Sequence, residues 1–134
     1  MERKFVKYEY EGLAREFNIE IRYPHFRIYI DEENEEEIRE FLIQKQNKFR
    51  IVLYQVLSGR YSDDHYKKEP YETVAMRFKG KGFNMRIYCK EYSTTNHRHI
   101  VMIRLEAKKT EKLDKKMLTI LSSMVDFTYK FDEI

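Results

Sequence analysis

Three consecutive stretches constrain the fold most: YETVAMRFK at residues 71–79, NMRIYCKEY at 84–92 and HIVMIRLEA at 99–107. Each is rich in β-branched, aromatic and other apolar residues, and each is bounded by turn-forming sequence, so each predicts a strand. The connections are short, GKG between the first two and STTNHR between the last two. Strands joined this closely pair antiparallel, because a parallel pair needs a long crossover. The reading is a three-stranded antiparallel meander.

The flanking sequence changes period. HFRIYI at residues 25–30 alternates and predicts an earlier strand, with Asp31 as the N-cap of the helix behind it. Ile38, Phe41 and Leu42 recur at helical spacing over residues 33–46, and Phe49, Val52, Leu53, Val56 and Leu57 do so in a second helix ended by Ser58 and Gly59. The pair predicts a helical hairpin with a short break near Asn47. RYSDDHYKKEP, polar and proline-containing, reads as a loop. After the third strand, Thr110 is the expected N-cap of a helix of about four turns carrying Leu113, Met117, Ile120, Leu121 and Met124 on one face. DFTYKF is a candidate final strand. Near the N-terminus, KFVKYEY and FNIEIRY both alternate around Gly12, giving either a strand pair or, through GLAREF, a helical turn.

Helices in runs beside an antiparallel meander indicate an α+β fold. With 134 residues and few glycines and prolines, the chain fits one domain, 1–134, with 1–25 as an N-terminal extension and 125–134 as a C-terminal tail. Cys89 is the single cysteine, which excludes an internal disulfide framework and fits a reducing, cytoplasmic setting. The N-terminus lacks the apolar core of a signal peptide, and no apolar run reaches bilayer-spanning length, so no membrane association is expected. Met102, Met117, Met124 and Cys89 read as core residues.

Net charge is only +3, but it is unevenly spread. Asp31 to Glu40 is strongly acidic and reads as a solvated helix face, whereas Arg77 to Lys116 is strongly basic. Arg77 and Lys79, two apart on a strand, share one face, Lys81 follows in the turn, Arg86 opens the next strand, and Lys108 and Lys109 end the third. Paired as a meander, these cations come together at one patch of sheet. Arginine donates two parallel hydrogen bonds to a phosphate, and several cations around a phosphodiester stabilise the added charge of its transition state. Tyr88, Tyr92 and Tyr129 offer phenols and stacking surfaces for RNA bases. The bland alternative for each cation is a soluble sheet face or edge, and Lys112, Lys115 and Lys116 read simply as a solvated helix face. No phosphate-cradling glycine loop, dinucleotide fingerprint or HExxH zinc motif is present.

MRFKGKGFNMRIYCKE and IVMIRLEAKKTEKLDKK, following a helical hairpin, resemble the RelE/HigB-like superfamily of toxins from type II toxin–antitoxin systems, over residues 26–122. The resemblance implies a RelE-like arrangement, an antiparallel meander with an N-terminal helical hairpin and a C-terminal helix packed on it. It implies an mRNA interferase, a ribosome-associated endoribonuclease that works without a cofactor or metal. In that scheme the ribose 2′-hydroxyl attacks the adjacent phosphate and leaves a cyclic phosphate and a 5′-hydroxyl. By position, Arg86 takes the phosphate-binding and transition-state role, Lys79 or Arg77 a part in proton transfer, and Lys109 a second phosphate contact. Arg77, Lys81, Lys108 and Tyr129 are then nucleic-acid-binding candidates. The implied partners are mRNA on the ribosome and a cognate antitoxin protein covering this face. Residues 110–124 contain neither the tyrosine nor the histidine that some members carry there, and Tyr129 is the candidate substitute. The alternative from another class is a non-catalytic protein- or nucleic-acid-binding module of the same fold, including a ParE-like gyrase-directed toxin.

Overall fold

The computed structural model describes residues 1–20, 26–60, 62–108 and 114–131. The class is α+β: a six-stranded mixed sheet with helices on both faces. In chain order the elements are β1 (Phe5–Tyr8), α1 (Glu11–Glu16), β2 (Phe26–Asp31), a 3-10 turn (Glu32–Asn34), α2 (Glu35–Gln44), α3 (Gln46–Ser58), β3 (Tyr66–Glu69), β4 (Thr73–Gly80), β5 (Phe83–Ser93), β6 (Arg98–Ala107) and α4 (Lys115–Ser123). The spatial order is β1-β2-β6-β5-β4-β3.

The sheet is not wholly antiparallel, which corrects the expectation of a purely antiparallel one. β2 runs parallel to β6, with Ile28 opposite Ile100 and Tyr29 opposite Val101. Helices α2 and α3 carry the chain across the sheet after β2, and the return through β4, β5 and β6 brings the last strand alongside β2 in the same sense. A connection containing two helices is long enough for this, as a parallel neighbour requires.

Period-two alternation divides the residues between the two faces. Ile28, Ile30, Val74, Met76, Phe78, Ile87, Cys89, Ile100 and Met102 face one core with Ile38, Phe41, Leu42, Phe49, Val52, Leu53, Val56 and Leu57 of α2 and α3. Tyr29, Ala75, Tyr88, Val101 and Ile103 face the other core with Met117, Ile120, Leu121 and Met124. Met102, Met117, Met124 and Cys89 are buried, and burial pushes the Cys89 thiol far above its ordinary value.

The local signals explain the helix boundaries. The Asp31 carboxylate accepts from the Glu33 backbone N–H and so caps the 3-10 turn, one step earlier than a cap on the α-helix itself. The break between α2 and α3 falls at Lys45, and Gly59 ends α3 in the left-handed conformation, φ 71°, that favours glycine. The last helix is shorter than its periodicity suggested: α4 has nine residues, and the Asp114 carboxylate caps it by accepting from the Met117 N–H. Thr110, the expected cap, lies outside the described residues.

Two segments differ from the sequence reading. The polar stretch before β4 contains β3, an edge strand pairing antiparallel with β4 from Tyr66–Met76 to Glu69–Thr73. DFTYKF forms no strand; a single bridge joins Glu2 to Thr128. At the N-terminus, β1 pairs antiparallel with β2 and GLARE falls within α1, with Phe17 as its C-cap, while part of FNIEIRY lies outside the described residues. No described helix is long and apolar enough to cross a membrane.

Candidate basic site beneath the C-terminal helix

β4, β5 and β6 set the basic residues in rows across the sheet. Arg77 lies directly opposite Arg86, and Arg86 directly opposite Glu106. In the next row towards the Gly80–Phe83 turn, Lys79 pairs with Asn84, whose carbonyl accepts from the Lys108 backbone N–H at 2.8 Å. Alternation puts these residues on the face that carries Ala75, Tyr88 and α4. Gly82, φ 83°, makes the tight connection that holds this register.

Depth divides the cluster. Arg86 is 1 % exposed, Arg77 6 % and Lys108 5 %, while Lys79 and Lys81 are exposed at the rim. The Arg86 Nη1 donates to Glu69 Oε1 of β3 at 3.1 Å, and both side chains are buried. Arg77 Nη1 donates to the Asp63 carbonyl at 2.6 Å. Arg104 is exposed and pairs with Glu106 at 2.6 Å. A guanidinium at this depth needs such partners, because an uncompensated buried charge is strongly destabilising.

Tyr88 lies between the basic rows and α4. Its hydroxyl donates to Met117 Sδ at 3.5 Å, a weak contact. Burial pushes its phenol above the ordinary value, and the nearby Arg86 guanidinium acts in the opposite sense. It therefore stays protonated at neutral pH.

The sequence candidates fall into three groups. Arg77, Lys79, Arg86 and Lys108 are brought to one face and one end of the sheet, with Lys81 in the adjoining turn. Lys109 lies outside the described residues, as does Lys112. Tyr129 is placed elsewhere, against Phe5 of β1 and Asp31 of β2, at the opposite edge of the sheet from β4. It is 7 % exposed, and its hydroxyl donates to Asp31 Oδ2 at 2.6 Å. Tyr92 is also committed internally, donating to the Phe127 carbonyl at 3.3 Å. Lys115 and Lys116 are exposed, as a solvated helix face requires.

Sequence reasoning missed Glu69. It lies in a stretch that read as a loop, and its partner Arg86 is brought to it by β3–β4 pairing, a long-range contact with no local periodicity. A KKEP segment ahead of a strand shows only that a carboxylate is available. The carbonyl of Ile103, beside the β-bulge where β5 and β6 change register, was equally silent; it accepts from Asn34 Nδ2 at 2.6 Å.

Such a face can attract a polyanion through Lys79 and Lys81 and orient it against the deeper arginines. No family model matches this chain, and neither do curated proteins or solved structures.

Proposed function

We propose that this chain is a RelE/HigB-like toxin of a toxin–antitoxin system, acting as a ribosome-associated, metal-independent endoribonuclease on mRNA. The observation that carries the reading is the gathering of Arg77, Lys79, Arg86 and Lys108 on one face at one end of β4, β5 and β6. In this reading the exposed Lys79 and Lys81 meet the RNA backbone first. The buried guanidiniums stabilise charge on the phosphate attacked by the ribose 2′-hydroxyl, and a cyclic phosphate and a 5′-hydroxyl result. Lys79, at the rim, is the candidate for proton transfer. A cognate antitoxin would cover this face.

Expression of wild type beside Lys79→Ala and Arg86→Ala tests the proposal. Wild type should arrest growth and leave mRNA fragments with 5′-hydroxyl ends, and both variants should relieve the arrest. Equal arrest from all three, or arrest from none, would overturn it.

A second reading is favoured by the Arg86–Glu69 ion pair, which uses the key arginine inside the protein. It is a non-catalytic module of the same fold that binds nucleic acid without cutting it. Purified protein that retains single-stranded RNA but leaves it intact on the ribosome would select this reading.

A further inference from the structure

Arg77 and Arg86 are direct cross-strand partners, and like charges so placed repel unless an anion offsets them. One anion hydrogen-bonded to Arg86 is the Glu69 carboxylate, at 3.1 Å, while Glu106 lies opposite Arg86 on β6. A carboxylate presents to a guanidinium the same pair of acceptor oxygens that a phosphodiester does.

The strand that delivers Glu69 is suited to release. β3 has four residues, pairs on one side only, and ends at Glu69 itself. The turn that follows holds Tyr71 at φ 62° and Glu72 at φ 56°, a region that non-glycine side chains rarely adopt. Thr73 fastens this turn through its hydroxyl, which donates to the Pro70 carbonyl at 2.7 Å. An edge strand with one strand neighbour and a strained turn opens more readily than the central strands, even with Tyr66 anchored in the core.

We propose that Glu69 is a built-in occupant of a phosphate site: its carboxylate holds the place on Arg86 that an RNA phosphodiester takes when β3 moves away. The inference rests on the RNA-directed reading above and adds a regulation to it. The deep arginine becomes available only to a ligand that displaces the tethered carboxylate, so apparent affinity is reduced by the fraction of molecules that are open. Contacts at Lys79 and Lys81 hold the RNA while that exchange occurs.

The test uses the full chain and a 2′-O-methyl single-stranded RNA oligonucleotide, which binds but offers no 2′-hydroxyl. Glu69→Gln should bind at least about tenfold more tightly than wild type, the gain expected when a site open a tenth of the time or less becomes fully open. Glu91→Gln removes the same charge beside Arg98, at the other end of β5, and should give a much smaller gain. Adding Arg86→Gln to Glu69→Gln should abolish the increase. Unchanged affinity in folded Glu69→Gln, an equal gain in Glu91→Gln, or a gain that survives Arg86→Gln would each overturn the proposal. Should Glu69→Gln fail to fold, the Arg86 Nε–H resonance in wild type decides: it should shift on saturation with the oligonucleotide, and an unmoved resonance refutes exchange. Protein that cuts mRNA but shows none of these gains would keep the toxin reading and remove this one. Protein that shows them and never cuts would do the reverse.

Discussion

Tyr129 donates a 2.6 Å hydrogen bond to the carboxylate of Asp31, a contact across 98 positions of sequence inside the second core. The same carboxylate accepts from Arg3 Nε and Nη2, each at 3.0 Å, and from the Glu33 N–H. Asp31 thereby fastens the N-terminal segment, the end of β2 and the C-terminal tail to one another. Removing the hydroxyl in Tyr129→Phe leaves a buried carboxylate one donor short, which costs about 1–3 kcal/mol. Urea denaturation should show that loss, while affinity for single-stranded RNA stays at the wild-type value. A large drop in RNA affinity with unchanged stability would instead return Tyr129 to the binding surface.

Alkaline pH should weaken the fold. Burial pushes the Tyr10 and Tyr92 phenols up to about 12 and raises Tyr129 further, with the Asp31 hydrogen bond adding to the effect. A group whose folded pKa exceeds its unfolded value contributes stability that is fully present below the unfolded pKa, about 10 for tyrosine. That contribution is lost as pH rises from there through the folded value. Unfolding free energy should therefore be level between pH 8 and pH 9 on account of these groups and fall steeply above pH 10. Ultraviolet titration should show the phenols ionising together with unfolding; ionisation near pH 10 in folded protein would contradict the burial.

The Arg86–Glu69 pair should show strong coupling. Removing one partner of a buried ion pair costs about 3–5 kcal/mol, because the other charge remains without compensation. Glu69→Met and Arg86→Met should each destabilise on that scale, and the double variant should be far more stable than their sum. Denaturation of the three variants measures this directly, and additive losses would mean that the two side chains do not share an energetic contact.

Lys79→Ala should separate binding from folding. The side chain is exposed at the rim, and surface substitutions of this kind change stability by about 0.5 kcal/mol or less. Affinity for single-stranded RNA should fall, and the dependence of log affinity on log salt should become shallower by about 0.7 for each phosphate that the variant no longer neutralises. An unchanged salt slope would take Lys79 off the RNA path.

The legible parts of this fold were those with local signals. The alternation around Val74, Ile87 and Ile100 located β4, β5 and β6, and the three–four spacing of Phe49, Val52, Leu53 and Val56 located α3. β3 was hidden because it is an edge strand whose sequence, Tyr-Lys-Lys-Glu, alternates nothing apolar against anything polar. The parallel β2–β6 pairing was hidden because strand direction depends on how α2 and α3 return the chain. At the site, placing Arg77 and Arg86 together followed from hairpin register. Their depth did not, since an arginine on a strand reads the same whether Glu69 covers it or water does.

The parallel pairing of β2 with β6 also has a kinetic consequence. β2 is made early and β6 late, and the sheet cannot close its middle until both exist. During synthesis at the ribosome, β1 and β2 would wait as an unfinished strip with an open edge, while the apolar faces of α2 and α3 have no complete sheet to cover. Topologies dominated by such distant pairings fold slowly, and their waiting edges are prone to pair with other chains. The fold is thus expected to reach its native state only after β6 has been made.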